Sequence, residues 1–177
     1  MQHFSENQIW LGLLVLRVSV GVTMVAHGYN HIWRGGKIKG TAGWFASLGM
    51  KPGILHAWLA SATELAAGTA LILGLFTPLA AGAVMGTMLV AFITNHLHAG
   101  FFVFRRPTEG WEYLMNLIAM VFAIGCLGPG KWSVDEGLDL YAHGWLSLVI
   151  TLVVGVGGAA TLLLVFWRPA PKEAPAT

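Results

Sequence analysis

Five apolar segments dominate this sequence and restrict the chain to a helical membrane architecture. They fall at residues 8–33, 53–75, 78–100, 111–127 and 144–167. Because about 20 apolar residues in a helix cross a hydrocarbon layer about 30 Å thick, each segment is predicted to be a transmembrane helix. We therefore expect an all-α integral membrane protein, with four helices in a transmembrane bundle and a fifth transmembrane helix after them.

The composition supports a membrane location and excludes several other classes of protein. Hydrophobic residues make up 56% of the chain and charged residues 10%, which is not the balance of a soluble domain. The formal net charge of +2 is too small to indicate a nucleic-acid partner, so the lipid bilayer is the expected surrounding. Cys126 is the single cysteine, which excludes an internal disulfide and a CxxC redox pair.

The segment between the first two spans has a pattern of its own. The stretch KIKGTAGWFASLGMKPG is amphipathic and is bounded by Gly40, Gly49 and Pro52. These features predict a short interfacial helix and not a further crossing. At the other end of the chain, the stretch RPAPKEAPAT is rich in Pro and Ala, so residues 169–177 are predicted to be a disordered tail.

Small residues within the spans predict where helices approach one another closely, because Gly, Ala and Ser leave room for a neighbouring backbone. Gly82 and Gly86 form a GxxxG pattern on the third span, which predicts a packing seam. Gly155 and Ala159 lie on the fifth span, where the pattern is compatible with either a partner subunit or lipid.

The basic residues predict how the chain is oriented in the membrane. With five crossings, one side of the membrane receives Arg34, Lys37, Lys39, Lys51, Arg105, Arg106, Arg168 and Lys172. The opposite side keeps only Lys131, close to several acidic residues. Because cytoplasmic loops are enriched in Lys and Arg, the N-terminus is predicted to lie outside and the C-terminus in the cytoplasm.

Two opposite charges fall inside the predicted spans. Arg17 lies on the first helix and Glu64 on the second, at similar distances from the outer ends of their segments. Since an unpaired charge inside the bilayer is costly, on the order of 3 kcal/mol for Arg, the two side chains are predicted to form a buried ion pair. Such a pair either fixes the register of the helices or serves as a proton relay or the polar wall of a ligand pocket.

A second polar group of residues is predicted at the cytoplasmic ends of the helices. Its members are His27, His31, His56, His96, His98, Glu112 and Asn116. His27 and His31 share a face of the first helix with Arg17, within an arc of about 80°. The cluster would suit a metal, a haem or a quinone headgroup, whereas each histidine by itself is compatible with headgroup contact or a helix cap. No HExxH metal motif is present.

Several motifs make residues 11–138 similar to the DoxX family of small bacterial membrane proteins. They are LRVSVGVTMVAHGYNHI, FASLGMKPGILHAWLASATELAAGTALILGLFTPLAA, NHLHAGFF, GWEYLMNLIAM and GPGKWSVD. The resemblance implies a four-helix bundle, in which the polar family positions match Arg17, His27, Gly28, Glu64, residues 95–98, Glu112 and residues 128–135. The fifth span departs from this pattern. We therefore expect a DoxX-like membrane domain at 1–140, an additional transmembrane helix at 141–168 and a cytoplasmic tail at 169–177.

The resemblance also implies a class of function. DoxX relatives are associated with quinone-linked oxidation and with oxidative-stress complexes, which implies a multi-pass protein of the bacterial plasma membrane that joins protein partners. The resulting hypothesis is a subunit of a quinone-linked oxidoreductase of the respiratory chain, in which Arg17 and Glu64 relay protons and the histidine cluster holds quinone, haem or metal. The alternative is a non-catalytic scaffold that assembles partner enzymes. A transporter is disfavoured because the helices show no clear inverted repeat.

Overall fold

The computed structural model describes residues 5–104, 109–140, 142 and 144–169, and in this part of the chain it is built from helices. In chain order these are α1 (Glu6–Trp33), α2 (Lys37–Ser47), α3 (Gly53–Leu73), α4 (Thr77–Ala91), α5 (Glu112–Leu127), α6 (Val134–Gly137), α7 (Trp145–Leu152) and α8 (Gly158–Phe166). A π-helical turn, Phe92–His96, extends α4, and another, Val153–Gly157, joins α7 to α8. The predicted all-α membrane fold is confirmed.

Three helical stretches in the described chain are long and apolar enough to cross a membrane. They are α1, α4 with its π-helical turn, and the α7–α8 unit. The helix α5 is apolar but has only 16 residues. The helix α3 has 21 residues and matches the second predicted span, but His56 and Glu64 make it more polar. The described residues thus contain a helical unit at each of the five predicted spans, and the crossing of the bilayer by α3 and α5 stays a prediction.

The helices α1 and α3 pack through glycines that fix their register. A Cβ atom at Gly21 would lie 2.6 Å from the Gly68 carbonyl oxygen, and one at Gly68 would lie 2.7 Å from the Gly21 oxygen. One end of this seam brings Gly28 against the backbone of Ser61 and the side chain of Glu64. Because neither glycine can be larger without moving a backbone, the two helices have one close-packed register.

The helix α4 lies at the centre of the bundle, where it packs against α3, α5 and the α7–α8 unit. The GxxxG seam predicted on this helix is present. A Cβ at Gly82 would lie 2.9 Å from the Thr151 oxygen, and one at Gly86 would lie 3.1 Å from the Gly155 oxygen. Gly155 therefore faces α4 of the same chain, which is neither of the two surroundings, a partner subunit or lipid, that the sequence analysis considered for this glycine.

The end of α8 meets the connection between α2 and α3. Met50 and Trp167 form an isolated backbone bridge, and the Arg168 amide donates to the Gly49 carbonyl at 2.8 Å. The indole of Trp167 donates to the Leu48 carbonyl at 3.0 Å. We call this the basic end of the bundle, because it carries Arg34, Lys37, Lys39, Lys51 and Arg168. Arg105, Arg106 and Lys172 lie outside the described residues, as does the predicted tail from residue 170 onward.

The short helix predicted between the first two spans is confirmed as α2. It has 11 residues, none of them fully buried, and it lies across the start of α3. The contact is close, since a Cβ at Gly53 would overlap the Ala42 carbonyl oxygen. Its aromatic residues Trp44 and Phe45 line a cavity at the basic end of the bundle, with Trp44 also exposed on the outside.

Candidate functional site

A cavity of about 260 Å³ lies in the basic half of the bundle. Its walls come from α1, α2, α3, α4, α5 and the α7–α8 unit, and they are mainly apolar. The titratable side chains among them are His27, His31, His56, Glu64, His96 and Tyr113. Four of the five histidines predicted to gather at one level therefore line a single space, together with the buried carboxyl group of α3.

The shortest polar contact in the cavity joins His31 of α1 to Glu64 of α3. The His31 Nδ1 and Glu64 Oε2 atoms lie 3.1 Å apart, with side chains 15% and 5% exposed. This is an ion-pair distance when the imidazole is protonated, but the angles are not those of a hydrogen bond, and neither atom has another hydrogen-bond partner. Both atoms therefore keep hydrogen-bonding capacity that a ligand in the cavity could use.

This contact corrects the prediction that Glu64 pairs with Arg17, which is wrong. The glycine seam places Glu64 beside Gly28, near the basic end of α1, whereas Arg17 lies opposite the last turn of α3. Arg17 and Gly28 are 11 residues apart on α1, which is roughly 16 Å along a helix. The depths of Arg17 and Glu64 were predicted from their distances to the ends of the apolar segments. The glycine contacts set a different register of α1 against α3.

Arg17 belongs to a different polar network at the opposite end of the bundle. Its guanidinium donates to the Leu71 carbonyl at 3.1 Å and to the Trp132 carbonyl at 2.6 Å. The fully buried Asp135 lies in the same region, and its two carboxylate oxygens accept from the amides of Phe76 and Thr77 at 2.7 and 2.8 Å. Arg17 therefore satisfies the Leu71 carbonyl in the last turn of α3, while Asp135 caps the N-terminus of α4.

His56 is the most unusual histidine in the cavity. It is 3% exposed, and its ring packs edge-on against Phe166 with the ring centroids 5.0 Å apart. Neither ring nitrogen has a hydrogen-bond partner of good geometry, although the Lys51 backbone lies nearby. A buried polar group without a partner costs about 1 to 3 kcal/mol, so this ring is a strong candidate to bind a polar ligand atom.

His96 is held on both sides of its ring. Nδ1 lies 2.8 Å from the Glu109 carbonyl oxygen, and since a carbonyl only accepts, Nδ1 must carry the proton. Nε2 then accepts from the Asn95 amide at 3.0 Å and the Tyr113 hydroxyl at 3.2 Å. These contacts fix the orientation of the ring at the end of the π-helical turn, a type of turn that is frequent at functional sites.

The other predicted residues lie at the edge of the cavity or outside it. His27 is exposed and its Nδ1 is 2.9 Å from the Thr23 carbonyl, which leaves it at the rim. His98 is exposed beyond the end of the helix. Glu112 accepts from the Val103 amide at 3.1 Å, and the exposed Asn116 donates to the Glu112 carbonyl at 3.0 Å. His98, Glu112 and Asn116 therefore do not line the cavity.

Sequence reasoning missed Tyr113 and the contribution of the α7–α8 unit. The buried face of α5 carries Leu114, Leu117 and Val121, and Tyr113 stands beside that face. This apolar periodicity was readable from the sequence and pointed away from Glu112 and Asn116. The α7–α8 unit contributes Gly158 and Leu162 to the wall, which no motif in the sequence indicated.

The described residues contain no group of three or more His, Cys, Asp or Glu side chains arranged to hold a metal ion. The reason is geometric. His96 uses both ring nitrogens in protein contacts, His27 turns to its own helix, and His31 is paired with Glu64. The metal-binding version of the histidine hypothesis is therefore not supported by this arrangement.

Comparison with known proteins places the first four helices in a family. A family model described as DoxX matches residues 12–97. Residues 12–97 are therefore similar to the DoxX family, the family that the sequence motifs indicated. The DoxX segment contains α1 to α4, and so it supplies His31, His56, Glu64 and His96 of the cavity. Tyr113 and the α7–α8 wall lie after the matched segment. The comparisons with curated proteins and with solved structures gave no match.

Proposed function

We propose that this DoxX protein binds the ring of a quinone in its cavity and serves as a membrane subunit of a quinone-linked oxidoreductase. The observation that carries the proposal is a set of buried polar atoms without hydrogen-bond partners, on His31, His56 and Glu64, in an otherwise apolar cavity. Sites for lipid-soluble molecules combine apolar walls with a few convergent polar groups. A quinone ring presents carbonyl oxygens that such groups can bind.

The size of the cavity favours a quinone over the other ligands that the histidines suggested. A volume of about 260 Å³ is just below the usual range for small-molecule sites, about 300 to 1,000 Å³. This space suits a single substituted ring better than a porphyrin. The described residues also lack a cluster able to hold a metal, so the arrangement gives less support to haem or metal than to quinone.

The chemistry assigned to this chain is hydrogen bonding and proton exchange at the quinone oxygens. Reducing a quinone to a quinol adds two electrons and two protons, and the electrons would come from a reduced partner protein. Glu64 and His31 are the proton-exchanging groups of the proposal because they lie 3.1 Å apart and line the cavity. Arg17 lies in the opposite half, where its contacts support a stabilising role and not a proton relay.

The proposed location is the bacterial plasma membrane, with the basic end facing the cytoplasm. The enrichment of Lys and Arg at cytoplasmic ends supports this orientation, since five of these residues in the described chain share that end. The N-terminus would then lie outside and the C-terminus inside. Partner proteins of the complex would approach the cavity from the cytoplasmic side.

The proposal is tested by measuring the affinity of the purified protein for a tail-less benzoquinone by equilibrium dialysis in detergent. Changing Glu64→Gln should weaken binding about tenfold or more, because it removes the charge that orients His31 and the proton acceptor of the pair. The matched control is Glu6→Gln, which changes an exposed carboxylate outside the cavity. Equal affinities of the Glu64→Gln variant and the wild type would contradict the assignment.

The scaffold alternative stays a prediction. It predicts that partner proteins no longer co-purify with the chain when residues 144–177 are deleted. Because Gly158 and Leu162 line the cavity, that deletion would also open the proposed quinone site. The point variant at Glu64 therefore separates the two hypotheses better than the truncation, since a scaffold does not need this carboxylate to bind a quinone.

A further inference from the structure

The cavity extends sideways between α3 and α8. Both helices pack near α4, but in the described chain they have few direct contacts with each other. At the basic end the gap is closed by the His56 and Phe166 rings and by the bridge between Met50 and Trp167. Farther into the bundle, the cavity lining passes from Ala60 on α3 to Gly158 on α8. The space therefore has an opening on the flank of the bundle as well as an interior.

The central helix forms the floor of this lateral opening. Ala83, Thr87, Val90 and Thr94 recur at helical spacing along α4, line the cavity and are each only half-buried. Other positions on this helix, such as Val84, are fully buried. A partly accessible stripe on a central helix is explained by the separation of α3 from α8. We call this stripe, with its walls at Ala60 and Gly158, the α4 groove.

The α4 groove is chemically apolar along its length. The Thr87 hydroxyl donates to the Ala83 carbonyl at 3.0 Å, and the Thr94 hydroxyl donates to the Val90 carbonyl at 2.8 Å. Both hydroxyls are thus satisfied within α4, and the methyl groups and aliphatic side chains remain for contact with a ligand. The groove suits a hydrocarbon chain, whereas the unpartnered polar atoms of His31, His56 and Glu64 lie deeper in the same cavity.

We propose that the α4 groove binds the hydrocarbon tail of the quinone, which enters the cavity sideways from the bilayer between α3 and α8. This inference rests on the proposed role of the cavity as the site of the quinone ring. It is carried by the continuity of one space, because the buried polar side chains of His31, His56 and Glu64 line the same cavity as the apolar channel that leads to the flank of the bundle. The ligand is accordingly an amphiphile with a polar ring and a long tail.

The chain offers a matched pair of variants for the test. Gly158 lines the cavity and is exposed, and a Cβ atom placed on it would meet nothing within 4 Å, so Gly158→Leu adds an apolar side chain at the wall of the groove without a clash at its Cβ. Gly157 is also exposed with nothing within 4 Å of its Cβ, but it does not line the cavity. Gly157→Leu is the control, because both variants replace a helical glycine with the same good helix former.

The experiment measures the affinities of both variants and the wild type for a long-tailed quinone and its tail-less analogue, in lipid nanodiscs. We expect Gly158→Leu to weaken binding of the tailed quinone about tenfold, since a side chain in the groove competes with the tail, and to weaken binding of the tail-less analogue much less. Gly157→Leu should alter neither affinity.

Three results would overturn the inference. If Gly158→Leu weakens both ligands equally, the groove acts on the ring and not on the tail. If it changes neither affinity, the tail does not lie there, as when a phospholipid chain occupies the groove; ring binding by the wild type would still support the proposed function. If the wild type binds neither ligand, the proposed function fails, and the tail site fails with it.

Discussion

Changing Asp135→Ala should lower the free energy of unfolding by about 3 to 6 kcal/mol. The carboxylate accepts two hydrogen bonds, from the Phe76 and Thr77 amides, and it is fully buried. Each hydrogen bond to a charged group contributes about 1.5 to 3 kcal/mol, and alanine leaves both amides without a partner. Arg17 also experiences the charge of Asp135 and would be left with two carbonyl partners only.

The measurement is a thermal unfolding curve in detergent, in which a loss of this size should lower the midpoint by roughly 10 °C. Glu136→Ala is the matched control, because it removes the neighbouring carboxylate, which is exposed, and should change stability by less than about 0.5 kcal/mol. Asp135→Asn keeps one accepting oxygen and should lose about half as much as alanine. Equal midpoints for Asp135→Ala and Glu136→Ala would show that the network does not hold this end together.

The variant Gly74→Ala should be more severe and should prevent most of the protein from folding. Gly74 has a φ of +68°, and a Cβ there would overlap the Arg17 guanidinium and lie 2.5 Å from Ser133 Cβ. The left-handed conformation alone costs an L-residue about 1 to 2 kcal/mol. The overlap adds the loss of the Arg17 contacts, because the guanidinium has to leave its place between α3 and the Trp132 carbonyl.

Gly35→Ala separates the conformational cost from the steric one. Gly35 has a φ of +51°, and a Cβ there would meet nothing within 4 Å. This variant should therefore lose about 1 kcal/mol and still fold. Size-exclusion chromatography in detergent compares the monodisperse yield of the two variants, followed by thermal unfolding of the folded fraction. Similar yields and midpoints would contradict the tight packing of Arg17 against Gly74.

The helices and the location of the polar cluster could be predicted from the sequence because apolar length and charge placement determine them. The amphipathic pattern predicted the short helix α2, although Gly40, one of the expected boundaries, lies inside it, and the grouping of His27, His31, His56 and His96 followed from the topology. These features depend on properties of single segments. Their agreement with the structure reflects local rules for helix length and termination.

The partners of the charged residues could not be predicted in the same way. Glu64 was predicted to pair with Arg17 but lies beside His31. The contact between Gly21 and Gly68 causes this difference, because it sets the position of α1 along α3. Packing at this precision is a property of both helices together, and the ends of the apolar segments do not encode it. The sequence identified the charges that needed partners but not the register that supplies them.

The ligand positions on the later helices show a different source of error. Glu112 and Asn116 share one face of α5, but the buried face carries Leu114 and Val121, and this rotation places Tyr113 at the cavity instead. The prediction that His98 belongs to the cavity was wrong for another reason, because the helix ends at His96 and His98 lies in the turn after it. In both cases the residue type was suitable for a ligand site, but the backbone directs the side chain away from the cavity.

The most direct test of quinone binding is chromatography of an organic extract from the natively purified protein. A single quinone in the proposed cavity predicts roughly one quinone for each wild-type chain, and a clearly lower amount for Glu64→Gln purified in the same way. The Glu6→Gln variant should retain the wild-type amount. A wild-type extract that holds no more quinone than the Glu64→Gln extract would contradict the assignment of the cavity.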